Sequence, residues 1–126
     1  MRLVIKRDQQ MKGMLGNKAS FQIAAQVETT PEERKAITQY GLGDTVLYQK
    51  FEVQGGSGLL GMASRAMLNA TNVVVTVNSL VNGCRVECKN VVDMLGVEEQ
   101  IVEGAKLFKQ VLHAAMHFGG SEAIEI

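Results

Sequence analysis

Residues 97–118 place Val97, Ile101, Ala105, Phe108, Leu112 and Ala115 three or four positions apart, with Glu99, Glu103, Lys106, Gln110, His113 and His117 opposite them. That spacing specifies an amphipathic α-helix whose apolar stripe must be laid on another element. Gly104 and Val111 widen the stripe, and Gly104 with Ala105 permits close approach of a neighbour. Gly119-Gly120 stops the helix. Just upstream, Asn90 suits the cap of a short turn through Asp93. Gly96 is expected to kink or separate that turn from the long helix.

The surface that this helix covers reads as strands. Residues 20–29 are the cleanest: Phe21, Ile23, Ala25 and Val27 fall on one face, and Ser20, Gln22, Gln26 and Glu28 on the other, with Ala24 among them. Period two with one apolar face describes a sheet covered on one side. Residues 2–7 alternate more weakly and read as an edge strand. Residues 8–18 carry turn formers without a clear period and read as a loop.

Thr30-Pro31-Glu32-Glu33 begins a short helix: threonine caps, proline suits the first turn, and Glu33 completes a capping box. Gly41 ends it. Residues 45–53 form the next strand, and residues 72–78 a β-branched one. Cys84, Val86 and Cys88 share one face of a further strand. Asn82-Gly83 predicts a hairpin over residues 73–89, with a bulge or wider loop before the turn. Residues 122–126 are a candidate closing strand.

The fold class expected is therefore α+β: an antiparallel sheet of about five strands with a long C-terminal helix packed on one face. With 126 residues, 46% of them hydrophobic and 21% charged, the chain fits a single domain able to bury its own core. Two cysteines do not make a disulfide scaffold. The apolar run Leu3-Val4-Ile5 is far shorter than an export signal requires, and no stretch approaches the ~20 apolar residues of a membrane span, so a cytoplasmic, non-membrane protein is expected.

Formal charge is zero overall but divided along the chain. Residues 1–18 hold Arg2, Lys6, Arg7, Lys12 and Lys18 against Asp8, a net +4. Residues 87–126 hold Lys89, Lys106 and Lys109 against Glu87, Asp93, Glu98, Glu99, Glu103, Glu122 and Glu125, a net −4. The two ends can attract each other within a chain or between chains, and the basic end can meet an anionic ligand. No aromatic is interleaved with the basic residues, which speaks against a nucleic-acid stacking surface.

Three constellations could carry chemistry. Gly56-Ser57-Gly58-Leu59-Leu60-Gly61 matches G-x-G-x-x-G, after a strand and before a helical pattern, where backbone amides could cradle a phosphate. The acid expected about 20 residues on is missing, since residues 75–80 read VTVNSL. A dinucleotide fold is thereby disfavoured. What remains is a flexible connection or a loop for another anion. The candidate ligand set is Gly56, Ser57, Gly58, Gly61, Arg65, Lys12 and Lys18.

His113 and His117 stand four apart on one helix face, a spacing suited to a metal. The glutamate of H-E-x-x-H is absent, Glu122 is a candidate third ligand, and two imidazoles near a helix C-terminus are favourable without any metal. They are lesser metal candidates, and no cofactor is expected. Cys84 and Cys88 would lie ~13 Å apart along a strand, too far for a disulfide, and read as core thiols.

No catalytic residues are assigned. The function expected is a non-catalytic binding or assembly module acting as a homo-oligomer, a dimer or larger. The alternative is an anion- or nucleotide-binding protein, or a small enzyme, using residues 55–61 and the N-terminal basic residues. The oligomer follows from a shortage of cover. Two helices must shield several apolar strands, Val73-Val74-Val75 asks for burial on both faces, and Leu59, Leu60 and Met62 have no evident home.

Overall fold

A computed structural model describes residues 1–13, 15–16, 18–50 and 73–126. Among these residues, five strands and three helices follow in the order β1 (Arg2–Lys12), β2 (Lys18–Glu28), α1 (Pro31–Gln39), β3 (Val46–Lys50), β4 (Val73–Thr76), α2 (Val77–Asn82), β5 (Cys84–Cys88) and α3 (Val91–Met116). The architecture is α+β, and every strand pair is antiparallel. The strands divide into a three-stranded sheet, β1-β2-β5, and a two-stranded sheet, β3-β4.

The N-terminal hairpin is longer than expected. Residues 8–12 and 18–19 extend the ladder rather than forming a loop, with Lys12 opposite Lys18. The turn formers are confined to the tip, where the Gly16 N–H donates to the Gly13 carbonyl at 3.0 Å and both glycines have positive φ. Cross-strand hydrogen bonding carries residues 8–12 as strand although their side chains lack a period. On the inner face, Leu3, Ile5 and Arg7 stand opposite Val27, Ala25 and Ile23. Ile23, Ala25 and Val27 are buried, as their alternation requires.

Helix α1 begins as read. The Thr30 hydroxyl accepts from the Glu33 N–H, and the Glu33 carboxylate accepts from the Thr30 N–H. Gly41, at φ 62°, follows its end.

The expected hairpin over residues 73–89 does not form. β4 ends at Thr76, which caps α2 through a reciprocal pair with Ser79: Ser79 N–H to Thr76 Oγ1 at 3.1 Å, and Thr76 N–H to Ser79 Oγ at 2.8 Å. This capping box overrides the β-branched run that precedes it. The six-residue helix α2 then carries the chain away from its previous partner. β4 pairs with β3, while β5 pairs with β2, Phe21 opposite Cys88 and Ala25 opposite Cys84. Asn82-Gly83 is thus a helix exit, with Gly83 at φ 95°.

Helix α3 joins the two sheets, packing against β2 and β5 on one side and β3 and β4 on the other. It starts at Val91 behind an Asn90 cap and runs through Gly96 without a break. An interior glycine costs about 1 kcal/mol, too little to interrupt a helix held by this much packing. Val97, Ile101, Gly104, Phe108 and Leu112 are buried on it, as the stripe predicts. They meet Ile23, Ala25, Val27, Leu47, Val73, Val75, Val77 and Leu80 in one core. Residues 122–126 are not a strand; they continue from Gly119 and Gly120 as exposed coil.

Candidate functional site

Strand β1 brings Arg2, Lys6, Arg7 and Lys12 onto one sheet edge. Among the described residues it pairs with β2 alone. Arg2 forks onto Glu28, with N···O distances of 3.0 and 3.1 Å. Arg7 lies on the inner face and pairs with Glu98 of α3, fastening the strand to the helix. Lys6 is exposed. Lys12 and Lys18, both assigned to an anionic ligand from the sequence, are register partners at the hairpin mouth. Gly56, Ser57, Gly58, Gly61 and Arg65, and with them the glycine-rich loop, lie outside the described residues.

A second cationic region sits at the far end of α3. An open groove of about 700 Å³ is lined by Met1, Thr30, Glu33, Lys106, Lys109, Gln110, Leu112, His113, Met116 and His117. Leu112 and Met116 supply an apolar floor; two lysines and two histidines rise from the same helix. Glu33 is occupied by the α1 cap and lies 3.8 Å from the Met1 amino group. Lys106 reaches Glu103 at 3.2 Å. The imidazoles of His113 and His117 lie against each other, with centroids 4.4 Å apart and planes tilted by 48°. Among the described residues, no group of three or more His, Cys, Asp or Glu side chains is placed to hold a metal.

The cysteines are remote from those imidazoles. Cys88 is buried on β5 and Cys84 half-buried. Burial pushes both thiols up from their ordinary value, and the carboxylates of Asp93 and Glu87 push Cys88 further. Neither is activated as a nucleophile, which requires a lowered pKa. Asp93, near Cys88, and His113 are separated along α3 by ~30 Å at ~1.5 Å per residue. The cysteine chemistry and the histidine chemistry therefore belong to different ends of the molecule. Ser20 is buried on β2 and donates to Glu87 at 2.6 Å, a structural tie between β2 and β5.

One feature was missed by the sequence reading. The first turns of α3 present Val91, Val92 and Leu95 together, with Val92 66% and Leu95 56% exposed. The signal was available: two valines follow the Asn90 cap, and Leu95 is one helical turn beyond Val91. A separate turn over residues 90–93, the expectation from the sequence, hides it, because only a helix continuous from Val91 sets these three side chains on one face. Val74 of β4 is also exposed, although its neighbours Val73 and Val75 are buried.

Comparison of the chain with protein-family models, with curated proteins and with solved structures finds no match. Among the described residues, no helix is long and apolar enough to cross a membrane.

Proposed function

We propose that this chain is a non-catalytic assembly module that works as a homo-oligomer. The observation that carries the reading is the cluster Val91, Val92 and Leu95. These apolar side chains share one face at the start of α3 and stand in solvent, whereas Val97, Ile101, Phe108 and Leu112 further along the helix are buried. Contiguous exposed apolar surface marks association sites, and a closed two-fold pairing is the commonest way to cover one. The separation of thiols from imidazoles supports the non-catalytic part.

Light scattering of the full chain at micromolar concentration tests it. A mass at a multiple of 13.7 kDa is expected. Replacing Val92 and Leu95 by glutamate should return the chain to that single mass, because each charge would be buried without a partner. A wild-type chain that stays single sinks the reading.

A second reading, a small-anion-binding protein, is favoured by the groove on α3. Lys106, Lys109, His113 and His117 converge there over an apolar floor, within the size range of small-molecule sites. Calorimetry with pyrophosphate and with a nucleoside triphosphate tests it. Binding that is lost in Lys109→Glu would support it, and no heat at millimolar ligand would remove it.

A further inference from the structure

We infer that residues 121–126 of one copy add as a strand, in a second copy, to the edge of β1 that is unpaired among the described residues, a placement that rests on the homo-oligomeric reading above. β1 is an edge strand of 11 residues whose pairing, among the described residues, goes to β2 alone. An antiparallel strand turns only alternate backbone groups toward its partner, so the others line the outer edge of β1 as a template for another chain. That edge carries Arg2, Lys6, Arg7 and Lys12 against Asp8.

The segment with the complementary composition is Ser121-Glu122-Ala123-Ile124-Glu125-Ile126. It follows Gly119 and Gly120, both at positive φ, which turn it away from α3. Every residue in it is exposed, with Ile124 at 75%. In an extended conformation Glu122, Ile124 and Ile126 share one face. The inner face of β1 carries Leu3, Ile5 and Arg7 at the same spacing, with Leu3 and Ile5 only half-buried.

One antiparallel register satisfies every one of these positions. Glu122 stands opposite Arg7, Ile124 opposite Ile5 and Ile126 opposite Leu3. Glu125, on the outer face, is opposite Val4 and diagonal to Lys6 and Arg2. Directly opposed apolar pairs and opposed charges are the arrangements that stabilise a strand pair. A shift of two residues in either direction sets Ile124 against Arg7 or Glu122 against Ile5. The parallel alternative that keeps Ile124 beside Ile5 sets Ile126 against Arg7 and Glu122 against Leu3. Arg7 also holds Glu98, and its guanidinium has donors for both carboxylates.

The direction identifies the occupant as a second copy. Glu98, early in α3, is beside Arg7, while Met116 and His117, at its end, share the groove with Met1. The helix thus runs opposite to β1, and residues 121–126 emerge next to the beginning of that strand. Folding back onto the same chain by the short path gives the mismatched parallel arrangement. A two-fold related copy can enter from the Arg7 end and receive the same segment in return, an isologous exchange by strand addition.

The test uses the full chain throughout. Residues 121–126 lie outside the core, so Glu122→Lys with Glu125→Lys, and separately Ile124→Asp, should keep the circular dichroism of the wild type. Each is expected to raise the dissociation constant of the oligomer at least about tenfold by sedimentation. Chains carrying Val4→Cys mixed with chains carrying Glu125→Cys should form a covalent dimer containing one of each under mild oxidation, above the background that the native thiols give in either chain alone. A wild-type chain that remains single at all concentrations overturns the assembly reading and this placement together. An oligomer indifferent to all three tail substitutions overturns this placement and leaves the assembly reading standing. A chain carrying both Val4→Cys and Glu125→Cys that closes its own disulfide as a single chain shows docking in cis, and also overturns the second copy as occupant.

Discussion

Gly104 of α3 rests directly on Val75 of β4: a Cβ built on the glycine would stand 2.8 Å from Val75 Cγ1 and 3.4 Å from Val75 Cβ. The helix crosses the smaller sheet at the one position of its buried stripe that has no side chain. Valine is stiff at χ1 and cannot swing away cheaply.

Gly104→Ala is therefore expected to destabilise the protein by up to about 2 kcal/mol, an overpacking cost of about 1–3 kcal/mol offset by a gain of about 1 kcal/mol in helix propensity. Adding Val75→Ala should recover part of that loss, a coupling that a denaturant-melt double-mutant cycle measures. A Gly104→Ala chain more stable than wild type would show that the contact yields freely.

Phe108 is fully buried where α3 meets the core. Phe108→Ala should cost about 3–5 kcal/mol by the same measurement, and a loss below about 1 kcal/mol would mean that this face is not packed.

Much of this architecture was legible because single-face periodicity survives folding: Phe21 to Val27 and Val97 to Leu112 face the core as their spacing requires. The errors have particular causes. The side-chain composition of residues 8–12 predicts a loop, yet their place is set by backbone pairing with residues 18–22. Val73-Val74-Val75 suggests one arm of a hairpin, but the reciprocal hydrogen bonds of Thr76 and Ser79 start a helix there instead. The cationic groove was half visible in His113 and His117. Its other wall comes from Met1, Thr30 and Glu33, which only the fold brings near.

The Thr76 cap is what diverts the chain between sheets, so its loss should be measurable. Thr76→Val keeps shape and strand propensity but removes the acceptor for the Ser79 N–H. A destabilisation of about 1 kcal/mol is expected in thermal or urea unfolding. An unchanged midpoint would show that α2 is held by packing of Val77 and Leu80 alone.

Both thiols have pKa values raised by burial, so the fold favours their neutral forms. That contribution is present in full below the ordinary thiol value of 9.0 and is lost as pH rises through the folded-state values. The rate of iodoacetamide alkylation should consequently rise at higher pH in the native chain than in the urea-unfolded chain. Coincident profiles would mean that the cysteines are not buried.

His113 and His117 are exposed. Replacing both with alanine should shift unfolding free energy by no more than about 0.5 kcal/mol and leave metal content unchanged. A stoichiometric metal in the native protein, lost in the double variant, would contradict this.

The handover at α2 has a consequence for how the molecule is made. The β1–β2 hairpin is local and can pair as soon as it leaves the ribosome. Its third strand arrives only after β3 and β4 have been made, and the residues of both sheets that pack on α3 meet it only after that. The apolar residues that face α3, among them Ile23, Val27, Leu47 and Val75, therefore wait for that helix to be synthesised. Loop-closure entropy makes such late, long-range closure slow. Protease challenge of nascent chains stopped before and after Met116 would register the change, with resistance appearing only once the helix has emerged. For this chain the time between translating Val27 and translating Leu112 is the interval of greatest exposure to aggregation, and a single late element ends it.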